Sequence, residues 1–130
     1  LFRSEYAARG SDTRKFPWGN KPPQHGNFFK ANYLQLNEPK DAYSLAAQVD
    51  TFNRDCSSFG VIGMAGNVSE WCNESYKQPK DNKELIVVKG GSFKNLWFDL
   101  QVFTSSEYTP SESLEHVGFR CVKDIPVLNR

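Results

Sequence analysis

Apolar positions cluster with helical spacing only at the start of the chain and with strand-like spacing only near its end. Ser4-Glu5-Tyr6-Ala7-Ala8-Arg9 reads as the last turns of a helix, with Gly10 as its stop. From Ser11 to about Lys83 neither a helical nor a strand period persists. Pro17, Pro22, Pro23, Pro39 and Pro79 punctuate that stretch, together with Gly19, Gly26, Gly60, Gly63 and Gly66. From Glu84 the pattern becomes strand-like: Leu85-Ile86-Val87-Val88 is an apolar β-forming run ended by Gly90-Gly91. Leu100 to Thr104 and His116 to Val122 alternate and read as further strands, while the residues from Ile125 read as a tail. The chain shows no internal repeat and no low-complexity tract.

A loop segment of about seventy residues is unusual inside a compact domain and has to be tied down by something other than a sheet. Aromatic anchors are one candidate tie: Phe16, Trp18, Phe28, Phe29, Tyr33, Tyr43, Phe52 and Phe59 all fall within it. A bound calcium ion is another, because calcium accepts backbone carbonyls as readily as carboxylates.

Composition narrows the function classes. The 130 residues suit one domain or part of one, and ordinary hydrophobic and charged fractions, 38% and 24%, argue against wholesale disorder. Sixteen Lys+Arg against fifteen Asp+Glu leave a net charge of +1, so no nucleic acid or anionic membrane surface is expected as partner. The longest apolar run is far too short to cross a bilayer, so no transmembrane segment is expected in this chain. Leu1 to Glu5 has neither an initiator Met nor the apolar core of a signal peptide, which suggests that residues upstream were removed or not included. Cys56, Cys72 and Cys121 form no Cys-x-x-Cys pair; they read as small buried apolar residues, or as one bridge with a thiol left over. They leave the redox compartment open.

Six motifs then stand in order along the chain. They are Glu5-Tyr6-Ala7-Ala8-Arg9-Gly10, Phe16-Pro17-Trp18-Gly19-Asn20, Ala31-Asn32-Tyr33, Gly63-Met64-Ala65-Gly66-Asn67-Val68-Ser69-Glu70-Trp71, Val88-Lys89-Gly90-Gly91-Ser92-Phe93 and Gly118-Phe119-Arg120-Cys121. The set resembles the C-terminal part of the formylglycine-generating enzyme, or sulfatase-modifying factor, family (the FGE-sulfatase domain). The resemblance implies an α+β, C-type-lectin-like fold, loop-rich with small antiparallel sheets. It places a domain at residues 1–124, as the C-terminal portion of a longer one, and a tail at 125–130. It also favours an extracytoplasmic or cell-surface location.

The same resemblance implies calcium at two loop sites. In the first, Asn32 and Asp41 would supply side-chain oxygens, and Tyr33 and Tyr43 backbone carbonyls; the bland alternative is turn hydrogen bonds from Asn32 and Asp41. In the second, Gly66 and Val68 would supply carbonyls and Glu70 a carboxylate. Gly63 stands where the family usually carries Asp or Asn, so a side-chain ligand is lost there and one calcium is expected rather than two. Glu70 has a structural alternative, bonding N–H groups of its own turn.

The family's oxidase chemistry rests on two cysteines, copper and oxygen. Asn95 and Leu100 occupy the two cysteine positions, and neither side chain can form a thiolate or bind copper(I) strongly. No catalytic residues and no copper are therefore expected. Cys121 takes a structural motif position, and Ala8 stands where some members place its disulfide partner. His25 and His116 are isolated, and Ser92 has no triad pattern around it. Asn67-Val68-Ser69 and Asn73-Glu74-Ser75 match the glycosylation pattern, but Asn67 sits in a motif expected to be buried. Lys77 to Lys83 reads as a solvated loop.

The segment from Lys94 to Tyr108 then carries the candidate ligand residues Asn95, Trp97, Phe98, Asp99 and Tyr108, with a protein or small ligand as the expected partner. Leu100, Val102 and Phe103 read as core. Trp97 and Phe98, being adjacent, would point to opposite faces of an extended backbone. The leading expectation is a non-catalytic, calcium-stabilised binding or structural module. Its alternatives are a variable ligand-binding C-type-lectin protein of a diversity-generating retroelement and a formylglycine-generating-type oxidoreductase.

Overall fold

A computed structural model describes residues 2–36 and 43–123. Helix α1 (Phe2–Arg9) leads into Gly10, whose φ of +70° and N–H bond to the Tyr6 carbonyl (2.7 Å) end it as the motif suggests. A two-residue hairpin follows, β1 (Gln24–His25) against β2 (Phe28–Phe29). The main sheet comprises β3 (Ser69–Lys77), β4 (Glu84–Lys89), β5 (Ser105–Tyr108) and β6 (Val117–Gly118), in the order β5-β4-β3-β6. Strand β4 is central, which is why its apolar run is continuous rather than alternating.

Several expectations need correction. Strand β3 runs through a polar stretch assigned above to loop, and it is held by pairing on both sides, with a bulge between Trp71 and Ser75. The sheet is not purely antiparallel, because β6 pairs with β3 in parallel at Ser69↔Val117 and Glu70↔Gly118. Leu100 to Thr104 is not a strand: Trp97–Leu100 is a 3-10 helix and pairing begins at Ser105. Of the His116 to Val122 alternation only Val117–Gly118 is strand. The cysteines are not buried apolar residues either; Cys56 and Cys72 are half-buried, Cys121 is exposed, and all three are unpaired. The tail expected at 125–130 lies outside the described residues.

Among the described residues, a hydrophobic core cluster is built largely from the loops. Phe16, Ala31, Tyr33, Ala65 and Leu100 are buried together, with Trp18 and Phe29 packed against them. Phe16 and Trp18 stack with centroids 5.2 Å apart and planes 1° from parallel. Phe28, Tyr43 and Phe59, expected as anchors, are instead exposed. Lys89 ties helix to sheet: buried on β4, its Nζ donates to the Val102 and Thr104 carbonyls (3.1 and 3.4 Å) and lies 3.7 Å from Glu5 Oε2 on α1.

A turn at Gly66–Asn67 joins the loops to the sheet. Gly66 N–H donates to the Gly90 carbonyl (2.7 Å), Asn67 N–H to Asn32 (2.7 Å), and Phe93 N–H to Asn67 (2.9 Å). The Asn67 side chain clamps a further loop, accepting from Ala47 N–H (2.7 Å) and donating to the Ala47 carbonyl (3.0 Å). Both turn residues adopt positive φ, +76° for Gly66 and +64° for Asn67. A Cβ on Gly66 would drive into the Asn32 carbonyl oxygen. Gly66→Ala is therefore expected to destabilise the protein by about 3 kcal/mol in urea melts, backbone strain and collision acting together. Gly60→Ala, at φ +78° but with nothing near the added methyl, should lose only about 1–2 kcal/mol.

Candidate functional site

Asn95 and Leu100, which the family resemblance sets at the oxidase cysteine positions, both serve the scaffold. Asn95 Oδ1 accepts from the backbone N–H of Ser92 (3.0 Å) and from its Oγ (2.7 Å), closing the turn that follows Gly90-Gly91. Its carbonyl takes the Leu34 N–H (2.8 Å). Leu100 is 0% exposed and packs in the loop-built core.

The rest of the Lys94–Tyr108 segment divides into three environments. On the 3-10 helix, Trp97 and Phe98 do not take opposite faces of a strand; both are exposed, at 43% and 47%, and meet edge-on with centroids 5.9 Å apart. Trp97 also reaches the buried Phe16 ring, at 6.4 Å. Phe103, expected in the core, is 59% exposed, whereas Leu100 and Val102 are buried as expected. Asn95 and Asp99 line a polar hollow of about 150 Å³ with Ser69, Thr104, Ser105 and Ser106. Tyr108 turns away, edge-on to Trp71 and in hydrogen-bond contact with His116 Nε2 (3.3 Å).

Residues of the two expected calcium sites meet at one cavity. Asn32, Gly66, Val68 and Glu70 line a space of about 280 Å³ together with Asp55 and Arg120, and Val49, Phe52 and Phe119 add apolar wall. Tyr33 and Tyr43 do not line it: Tyr33 is buried in the core and Tyr43 packs edge-on to Phe52 (5.6 Å). Asp41 lies outside the described residues. Asn32 donates Nδ2 to the Leu45 carbonyl (2.8 Å) and to Asn67 Oδ1 (3.2 Å), which leaves its buried Oδ1 without a partner. An unpartnered amide oxygen suits a hard cation, so Asn32 fits the first site.

Glu70 does not fit the second. Its two oxygens take Arg120 Nε and Nη2 at 2.6 and 2.7 Å, a bidentate pair, rather than N–H groups of its own turn. The same guanidinium donates to the Ile62 and Gly63 carbonyls (3.1 and 2.5 Å), so it also takes up carbonyl oxygens beside Glu70. Asp55 is the residue that the motifs did not reveal. It is 1% exposed, its Oδ2 accepts from Ala65 N–H (2.8 Å), and its Oδ1 has no partner. Burial pushes its carboxyl up to about 7, against the Ala65 N–H and the nearby Arg120 charge.

Comparison with known proteins agrees with this architecture. The sequence profile of the sulfatase-modifying factor enzyme 1-like domain (FGE-sulfatase) matches residues 2–125. The mouse (Mus musculus) formylglycine-generating enzyme is 31% identical over 140 residues, covering 92% of this chain and 37% of its own length. Among solved structures, PvdO from Pseudomonas aeruginosa superposes with a TM-score of 0.66 at 24% identity, over 89% of this chain and 48% of that one. Treponema denticola variable protein 1 superposes with a TM-score of 0.65 at 23% identity, over 89% and 43%. The chain thus spans less than half the length of these relatives. Its few helices, small sheets and ordered loops are those of an α+β, C-type-lectin-like fold. With the six motifs in order, the domain profile matching residues 2–125 and the fold in agreement, the chain belongs to the FGE-sulfatase family.

Proposed function

We propose that the chain is a non-catalytic member of this family, a calcium-stabilised module whose binding surface is the Lys94–Tyr108 face. The observation that carries this reading is the use made of Asn95 and Leu100. One closes a turn and the other fills the core, so neither position holds a group able to exchange a disulfide or bind copper(I). A second reading, a variable ligand-binding protein, draws support from the fold likeness to the Treponema denticola variable protein. It also draws on the retained Gly118-Phe119-Arg120 that follows the altered segment. Both readings put the ligand at the same face, on the exposed Trp97–Phe98 pair.

Incubated with copper, a reductant and a sulfatase-type Cys-x-Pro-x-Arg peptide, the protein is expected to give no aldehyde by mass spectrometry. Turnover would restore the oxidoreductase reading.

Calcium is expected at Asn32, with Asp41, Tyr33 and Tyr43 as the other candidate ligands. A ligand confined to the native state stabilises it by about 2.7 kcal/mol at a hundredfold excess over its dissociation constant. A chelator should therefore lower the melting temperature, and Asp41→Ala should remove that dependence. Melting curves indifferent to both calcium and chelator would sink the calcium reading.

Trp97→Ala and Phe98→Ala test the surface. Both residues are half-exposed, so each melt should shift by far less than the about 3–5 kcal/mol lost when a buried aromatic is truncated. Binding to an immobilised partner, once one is in hand, should weaken by about 2 kcal/mol or more. Core-sized losses of stability in both variants would remove the anchor role.

A further inference from the structure

We infer that the polar hollow beside the 3-10 helix receives the ammonium group of a lysine side chain presented by a protein partner. The inference rests on the ligand face proposed above and names the chemistry of its partner. Gly91 sets Asp99 over the end of β4: at φ +67° it lets the Asp99 carbonyl come so near that a Cβ would meet it at 3.1 Å. Ser69, Val88, Thr104, Ser105 and Ser106 line the same hollow. Ser106 pairs with Val88, and Ser69 lies two residues before Trp71, which also pairs with Val88, so both serines project from the sheet face that Val88 shares. Among the described residues, neither the Asp99 carboxylate nor the hydroxyls of Ser69, Thr104, Ser105 and Ser106 make a hydrogen bond or ion pair. A hollow of about 150 Å³ is thus surrounded by unspent acceptors.

Charge decides among the ligands that could fill it. Lys89 lines the hollow, but its Nζ is turned to the Val102 and Thr104 carbonyls and to Glu5, which matches its charge. Lys94, in the preceding turn, is paired with Glu115. Asp99 therefore carries the unmatched charge of the hollow, and a ligand bringing one positive charge is favoured over a neutral or anionic one. An ammonium has three donors and no acceptor, the complement of a carboxylate among hydroxyls. A guanidinium delivers its donors as a planar fork suited to one carboxylate, whereas these acceptors come from two strands and a helix. The volume is that of about five liquid waters, enough for an ammonium and the last methylenes of its stem. Trp97 and Phe98, exposed on the same 3-10 helix, offer apolar surface to the rest of the side chain.

The test is an NMR titration of the isotope-labelled protein with three probes: Nα-acetyl-lysine methylamide, its Nε-acetylated form and Nα-acetyl-arginine methylamide. The lysine probe should shift the Ser69, Asp99 and Ser106 amides to saturation in the millimolar range. Acetylation of its amine, and exchange for arginine, should each weaken binding at least about fivefold. Asp99→Asn preserves size and removes no contact, so it should leave the melting curve unchanged while weakening the lysine probe about tenfold. Glu107→Gln is the control; its carboxylate accepts from the Tyr76 hydroxyl, and the variant should bind as the parent does. No shift at these amides, equal binding of the acetylated or arginine probe, or unchanged binding in Asp99→Asn would each overturn the assignment. If an immobilised partner is lost in Trp97→Ala but kept in Asp99→Asn, the face remains the binding surface and the lysine contact is removed. If both variants keep the partner, both readings fail.

Discussion

The fold depends on how closely the backbone at Gly66 approaches Asn32. Three segments that share no regular secondary structure converge there: the loop at Asn32, the turn at Gly66–Asn67 and the end of β4 at Gly90. Backbone polar groups in buried loops must find partners, and at this junction they find one another. Only a residue without a side chain permits the approach, and only left-handed conformations at both turn positions aim the amides correctly. The Asn67 side chain then extends the junction to Ala47, and the Asn32 side chain to Leu45. A loop-rich domain of this kind gains its order from a few long-range polar contacts and a loop-built aromatic core, with the sheet as backing.

Much of this was legible in the residues. The helix stop at Gly10 and the strand before Gly90-Gly91 carry local signatures, in glycine conformation and in a continuous apolar run. The six motifs specified the fold class. Strand β3 was not legible, because Ser69 to Lys77 is mostly polar and becomes a strand through its neighbours rather than through propensity. The 3-10 helix at Trp97–Leu100 was missed for a related reason: burial of Leu100 against Phe16 and Ala65 decides the backbone there, and alternation along the chain is silent about it. Asp55 lies between Arg54 and Cys56 in a polar stretch, and only its burial and its bond to Ala65 set it apart.

Glu70 and Asp55 line the same cavity but use their oxygens differently. Glu70 keeps its place in the motif, yet Arg120 occupies both of its oxygens. Two side chains matched in this way form a bidentate ion pair, which positions the Gly118-Phe119-Arg120 segment beside β3 and closes one wall of the cavity. Asp55 has no motif to advertise it, yet it is buried and accepts from the Ala65 N–H.

The pairing of Arg120 with Glu70 also sets the order in which the domain can be completed. The two residues are fifty positions apart, and β6 joins β3 in parallel, a pairing that needs a long connection. During synthesis the chain passes through the ribosome with β3 already out and its last neighbour still to come. Until Val117 to Arg120 emerge, the start of β3 lacks its β6 neighbour and Glu70 lacks its countercharge. Non-local closures of this sort are slow relative to local ones, and this wall of the cavity can close only once both segments are present.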